Sequence, residues 1–406
     1  MFKKNLEKIV SITIISIMIL IPSLKLLSYC LFLGGIIDNQ FIINHVYVLW
    51  FSIPILLVLY ILNKRELNIT DLIIYGLSIL GLLSTISALN QKVSILGALN
   101  RNEGLLTLIS YYLIFLNSKN IDRKKIIKVF LALGVFQVIY GVLQVFTKFK
   151  FIKHFSKPFL AMGLCGNPNF YGSLMVMLLL ISVTIYLLDN KKRYLFLSIL
   201  YFIGLCLAGS TGPFLGFIIT FIFLLISRFK KIHLKSLVFV LITFVFIYFT
   251  VNSANAYIQR TTNKVVDPNY NINSEILNIK NNQNYGNGRI QIWKNSVPLI
   301  EKYFWFGAGI DNFSEAYKQS GGVIVDKAHN VYIQILVTNG IYALVLNLIL
   351  LLIIFIKCFK NTNTISTALF MAFIGYSIQA FANISVIDVA PFYFIIMGML
   401  SSFKDN

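Results

Sequence analysis

The chain is a succession of apolar runs separated by short polar turns. The runs fall near 9–36, 41–62, 70–89, 104–117, 126–146, 166–188, 194–209, 212–227, 236–251, 331–356, 365–382 and 389–403. A helix needs about 20 mostly apolar residues to cross a bilayer. The pattern therefore predicts an all-α polytopic membrane protein with about twelve transmembrane helices. One polar interval, 252–330, is far longer than the rest. Its first half is rich in Asn, lacks apolar periodicity and reads as a loop. In its second half Ile290, Trp293, Val297 and Ile300 recur at helical spacing. Pro298 is expected to kink or end that helix. Gly307 and Gly309 predict a turn, and Asp311 to Tyr317 a second short helix. The chain thus divides into helices one to nine (1–251), a long extracytoplasmic loop with short amphipathic helices (252–330), and helices ten to twelve (331–406).

Composition agrees with this reading. Of 406 residues, 57% are hydrophobic and 12% charged, against about 25% charged in soluble domains. The net charge of +20 does not point to nucleic acid. Sixteen of the 35 Lys and Arg sit in compact turns, "NKRE", "SKNIDRKK", "DNKKR", "RFKKIHLK", "KCFK" and the final "FKDN", and three more in the opening "MFKKNLEK". These occupy every second turn, as the positive-inside rule requires. Both termini are then cytoplasmic, in a multi-pass protein of the cell membrane. The turns 37–40, 90–103, 147–165, 210–211, 252–330 and 383–388 face outward. The opening "MFKKNLEK" and its apolar run read as an uncleaved first span, since no small-x-small site follows. Cys30, Cys165, Cys206 and Cys358 lack CxxC spacing and read as small buried apolar residues.

The candidate chemistry lies in the outward turns. They hold Arg101 and Glu103, then Lys148, Lys150, Lys153, His154 and Lys157, then Arg289 and His329. Cations kept outside against the topological bias suggest an anionic ligand such as a phosphate or pyrophosphate. Contact with lipid headgroups is the other reading, above all for the lysines. Arg289 follows Gly288 at the head of an amphipathic helix, a position suited to a bidentate grip on phosphate. His329 is either an interfacial packing residue or a base, because an imidazole with a pKa of about 6.5 suits proton transfer near neutrality. Asn330 and Gln334 lie one helical turn apart, where their amides either orient the ring or bind a sugar hydroxyl. Asp311 and Glu315 are expected on one solvated helix face. Lys25 is the clearest charge inside a span and is expected to snorkel. So few intramembrane charges argue against ion-coupled transport. No metal-ligand spacing or nucleotide-binding signature occurs, and neither a metal nor a cofactor is expected.

Four stretches carry a family resemblance: "GNPNFYGSLMVMLLL" (166–180), "GSTGPFLGFI" (209–218), "GRIQIWKNSVPLIEKYFWFGAGIDNF" (288–313) and "AHNVYIQILVTNGIYALVLNL" (328–348). In this order they resemble the bacterial O-antigen ligase and polymerase family, over roughly 160–390. The resemblance implies a metal-independent membrane glycosyltransferase. Its donor would be a glycan on undecaprenyl pyrophosphate, and its acceptor a hydroxyl on a glycan, lipid or protein. It implies that His329 activates the acceptor or assists transfer, and that Arg289 neutralises the pyrophosphate. Trp293, in the Arg-x-x-x-Trp element, joins Arg101, Asn330 and Gln334 as substrate-binding candidates. One departure stands out. Relatives often read Ser-Arg-Gly where this chain reads Ser210-Thr211-Gly212, so an expected second arginine is missing, and Arg101 or one of the lysines 148–157 is the candidate substitute. A lipid-linked glycan flippase or exporter and a non-catalytic membrane scaffold are the competing functions.

Overall fold

The computed structural model describes residues 2–33, 44–63, 66–99, 101–146, 160–266, 288–319 and 325–403. The lysine-rich stretch 148–157, with His154, lies outside them. Each of the twelve apolar runs falls on a helix. These are α1 Phe2–Leu33, α2 Val46–Leu62, α3 Ile69–Ile86, α5 Leu105–Asn117, α6 Arg123–Phe146, α7 Pro168–Asp189, α8 Lys192–Ala208, α9 Thr211–Arg228, α10 Leu234–Val266, α13 Val331–Phe359, α14 Thr364–Gln379 and α15 Ala390–Ser401. Three further helices, α4 Gln91–Leu96, α11 Arg289–Lys302 and α12 Phe313–Gln319, lie in the turns. Among the described residues, eight helices are long and apolar enough to cross a membrane. The shorter α2, α5, α8 and α15 have 17, 13, 17 and 12 residues.

The core is built around α7. Asn167 caps its N-terminus by accepting from the Asn169 N–H, Pro168 occupies the first turn, and Asn190 ends it in the left-handed conformation. It is buried along nearly its full length and packs against α8, α9 and α14. At the periphery the logic inverts. On α10, Ile242, Val245, Phe246 and Phe249 are exposed, which suits a helix solvated by lipid rather than water.

The site is positioned by a break in α13. Gly340 has φ 83° and ψ 177°, a region essentially reserved for glycine. The break frees backbone groups that a helix would satisfy internally, and the turn after α11 takes them up. The Ile341 N–H donates to the Phe304 carbonyl at 2.7 Å, and the Ala308 and Gly309 N–H groups donate to the Val337 and Thr338 carbonyls at 2.8 and 3.0 Å. Ser84 Oγ adds a second donor to Thr338 O at 2.7 Å. Both backbones need glycine for this approach. A Cβ on Gly307 would lie 2.2 Å from Thr338, and one on Gly340 would lie 2.2 Å from Trp305 O. Gly340→Ala is therefore expected to destabilise the fold, by about 1–3 kcal/mol from backbone strain alone. A thermal melt of the detergent-solubilised protein checks this, and an unchanged midpoint contradicts it.

Several expectations are corrected. Of the two outcomes expected at Pro298, a kink or an end, the end is excluded, since α11 continues through it to Lys302; proline removes one backbone donor there, and the last turn closes beyond it. The buried side of α11 is Ser296 and Leu299, whereas Ile290 and Val297 of the expected stripe are exposed. Trp293 and Ile300 of the same stripe are half-buried, and Ile300 packs against the cluster of Leu299, Phe313 and Tyr317. Lys25 does not snorkel. Its ammonium lies 2.7 Å from Asp388 Oδ2, and His45 Nε2 lies 3.0 Å from the other oxygen. Pairing across 363 residues removes the need to reach water. Cys30 is exposed, while the other three cysteines are buried.

Candidate active site

Four chain segments meet where they enter helices. Glu103 precedes α5, Asp311 precedes α12, Lys327 precedes α13 and Ser385 precedes α15. The Lys327 ammonium pairs with Glu103 and with Asp311 Oδ1, the latter at 3.3 Å. Glu103 Oε1 also accepts from Ser385 Oγ at 2.7 Å and from the Tyr111 hydroxyl at 3.1 Å. Asp311 Oδ2 accepts from the Ala98 N–H at 2.7 Å. Burial works against the Lys327 charge, yet the Asp311 and Glu103 carboxylates outweigh it and hold its pKa above the usual 10.5. Burial lifts Asp311 above the usual 3.8 against the pull of Lys327. Asp311 is thus not a solvated helix-face carboxylate. It sits ahead of α12, buried and ion-paired, apart from Glu315, whose oxygen lies 3.1 Å from Lys318 Nζ.

This network anchors the loop 325–330. Ala328, next to His329, is tied at both ends. Its carbonyl accepts from Trp293 Nε1 at 3.0 Å, and its N–H donates to Gln334 Oε1 at 2.9 Å. Asn330 Oδ1 accepts the Tyr332 and Ile333 N–H groups at 2.9 and 3.1 Å, capping α13. Between them His329 adopts φ 51°, a left-handed conformation that non-glycine residues seldom take. Trp293, Gln334 and Asn330, candidates for substrate contact, thus hold the backbone on either side of the histidine.

His329 lies among cations. Burial is the main influence lowering its pKa below 6.5, and Arg289, Arg101 and Lys327 push the same way while Asp326 opposes them. The imidazole is accordingly neutral at pH 7. Its Nδ1 is shielded and has no hydrogen-bond partner among the described residues. Arg289, the first residue of α11, is partly buried, which lowers its pKa below the usual arginine value. Arg101 grips Asp326 Oδ2 with Nε at 2.8 Å and with Nη2, and its guanidinium lies 5.5 Å from the Phe170 ring centre. Phe170 follows Asn169, whose Oδ1 accepts from Ser210 Oγ at 2.6 Å. Ser210, the residue before Thr211, thus bonds to the neighbour of the phenylalanine that Arg101 approaches.

Below the loop lies a cavity of about 160 Å³. Its upper wall carries Glu103, Asp311, Lys327 and Gln334, and its floor reaches Leu350 and Met397. Among the described residues no group of three His, Cys, Asp or Glu side chains is placed to hold a metal ion. Sequence reasoning missed Asp326 and Lys327 as site residues. The signal was two opposite charges directly ahead of an apolar run.

Residues 194–348 match the family model described as O-antigen ligase. Over this segment the chain is similar to that family. No curated protein matches the chain. The matched segment runs from α8 into α13 and contains Thr211, Arg289, Trp293, His329, Asn330 and Gln334; Arg101 and Glu103 lie outside it. The match supports the O-antigen ligase/polymerase family. That family implies glycosyltransferase-like ligase or polymerase activity with a lipid-linked glycan donor, in a multi-pass membrane protein.

Proposed function

We propose that this protein transfers a glycan from undecaprenyl pyrophosphate to an acceptor hydroxyl at the outer face of the cell membrane, as a polysaccharide polymerase or an O-antigen-ligase-type enzyme. In this reading all twelve apolar helices cross the bilayer, both termini are cytoplasmic, and 252–330, whose first residues continue α10 as helix to Val266 rather than as loop, lies outside. The observation that carries it is a neutral, partly buried His329 beside the cations Arg289 and Arg101. A hydroxyl is a weak nucleophile until its proton is taken, and a neutral imidazole takes it at pH 7. The acceptor oxygen then attacks the anomeric carbon of the glycan, and the bond from that carbon to the pyrophosphate oxygen breaks. The electron pair leaves with the lipid pyrophosphate, whose charge Arg289 meets with fixed N–H donors. Trp293, Asn330 and Gln334 keep the His329 backbone in place during the step.

The test is Arg289→Gln in cells. Loss of one charge-stabilising donor is expected to slow transfer by about 10²–10³-fold. Lipid-linked glycan should then accumulate on the outer leaflet while the protein remains inserted. Normal polymer overturns the proposal, and accumulation on the inner leaflet points to a flippase or exporter instead.

A further inference from the structure

The proposed transfer needs more than a neutral histidine. The ring must be held, and the charge it gains must be met. We propose that Asp326, pinned by Arg101, is the positioning residue of His329: it orients the imidazole and steadies it once protonated. The inference rests on the reading of His329 as the proton acceptor.

The geometry divides the work between the two carboxylate oxygens. Oδ2 is occupied by the Arg101 Nε and Nη2 donors. Oδ1 accepts the Lys327 N–H at 2.9 Å and faces His329 Nε2 at 3.9 Å. A carboxylate fixed by a two-point guanidinium grip and a backbone N–H has little freedom to turn away. The remaining gap closes with about 1 Å of ring movement, and such bonds often tighten only when substrate binds. When Nε2–H donates to Oδ1, the lone pair resides on Nδ1, the atom without a partner among the described residues. Nδ1 is shielded here, so the ring movement that closes the gap to Oδ1 must also open Nδ1 to the acceptor hydroxyl; the proton then arrives at Nδ1, and the doubly protonated ring is paired with Asp326. Arg101 thus acts through Asp326 rather than only as a free cation for the donor.

Among the described residues, the charged groups that reach His329 are Asp326 and Lys327 from its own loop, Arg289 from α11, and Arg101 from the turn ahead of α5. Asp326 is the sole carboxylate in that set, and it is the one member that favours the protonated ring. Asp326 itself stays ionised. Burial works to protonate it, but the charge and hydrogen bonds of Arg101, aided by His329 and Lys327, hold it below 3.8.

The test needs no substrate. Diethyl pyrocarbonate modifies neutral imidazole, so its rate at His329, read by peptide mass spectrometry on the full-length protein in detergent, reports the ring's titration. In the wild type the midpoint lies below pH 6.5. Asp326→Asn removes the favouring carboxylate and moves the midpoint to lower pH. Asp326→Glu, which keeps the charge, restores the wild-type midpoint, which a loop that was merely loosened would not do. The proposal is overturned if Asp326→Asn titrates like the wild type. Should Asp326→Asn fail to fold, Arg101→Gln is compared with the double variant Arg101→Gln/Asp326→Asn, which strands no charge: the double variant titrates at lower pH, and equal midpoints overturn the proposal. This outcome is independent of the transfer reaction, so it fails separately from the Arg289→Gln test.

Discussion

Replacing His329 with asparagine is expected to lower glycan transfer by about 10²–10⁴-fold, the range over which positioned proton transfer contributes. Asparagine is the informative substitution because the backbone at 329 has φ 51°, and Asn tolerates that region better than Ala does. The variant keeps the loop and removes the base. The wild-type rate should fall on acidification, because protonation removes the lone pair that accepts the acceptor's proton. Burial and the cations Arg289, Arg101 and Lys327 place this fall below pH 6.5, so the rate is flat at neutrality. The asparagine variant should lose that acid limb together with the rate. A transfer assay across pH 5–8 with a membrane extract checks both. Wild-type turnover by the variant contradicts the assignment.

The second large effect is on stability. Lys327, Glu103 and Asp311 have side-chain exposures of 4%, 8% and 1%, so their charges are compensated by one another rather than by water. Lys327→Met leaves two carboxylates facing each other without a cation. Breaking a buried pair in this way typically costs about 3–5 kcal/mol, because the partner charge stays buried and unpaired. The expected result is a sharp loss of monodisperse protein after detergent extraction. Adding Glu103→Gln removes one of the stranded charges and should restore part of the yield. A single variant as stable as the wild type would show that the network is better hydrated than its burial indicates.

The architecture was largely legible because a lipid-solvated helix advertises itself in one dimension. All twelve apolar runs became helices, from Phe2–Leu33 to Ala390–Ser401. Asn167-Pro168 and Asn330 prove to start helices through their capping chemistry, a role the apolar pattern did not single out. The break at Gly340 was not legible. A lone glycine in an apolar run looks tolerable until the backbone of 303–309 is seen docked against it. The charged pairs were hidden for a related reason. Lys25 meets Asp388, Arg101 meets Asp326, and Lys327 meets Glu103 across 363, 225 and 224 residues, and a single sequence carries no trace of such proximity. At the site, His329 and Arg289 were singled out by residue type and position. The supporting parts of Trp293, Asn330 and Gln334 emerged only when their hydrogen bonds proved to converge on residues 328–333.

Reconstitution tests the central claim most directly. The purified protein would be placed in liposomes made from a lipid extract that contains the undecaprenyl-pyrophosphate-linked glycan, together with acceptor. Mass spectrometry would then follow free undecaprenyl pyrophosphate and glycosylated product in the same sample. Transfer as proposed predicts that the two appear in equal amounts with wild-type protein and that neither appears with His329→Asn. Product formed at the wild-type rate by the His329 variant, or glycan that crosses the bilayer still attached to its lipid, would contradict it.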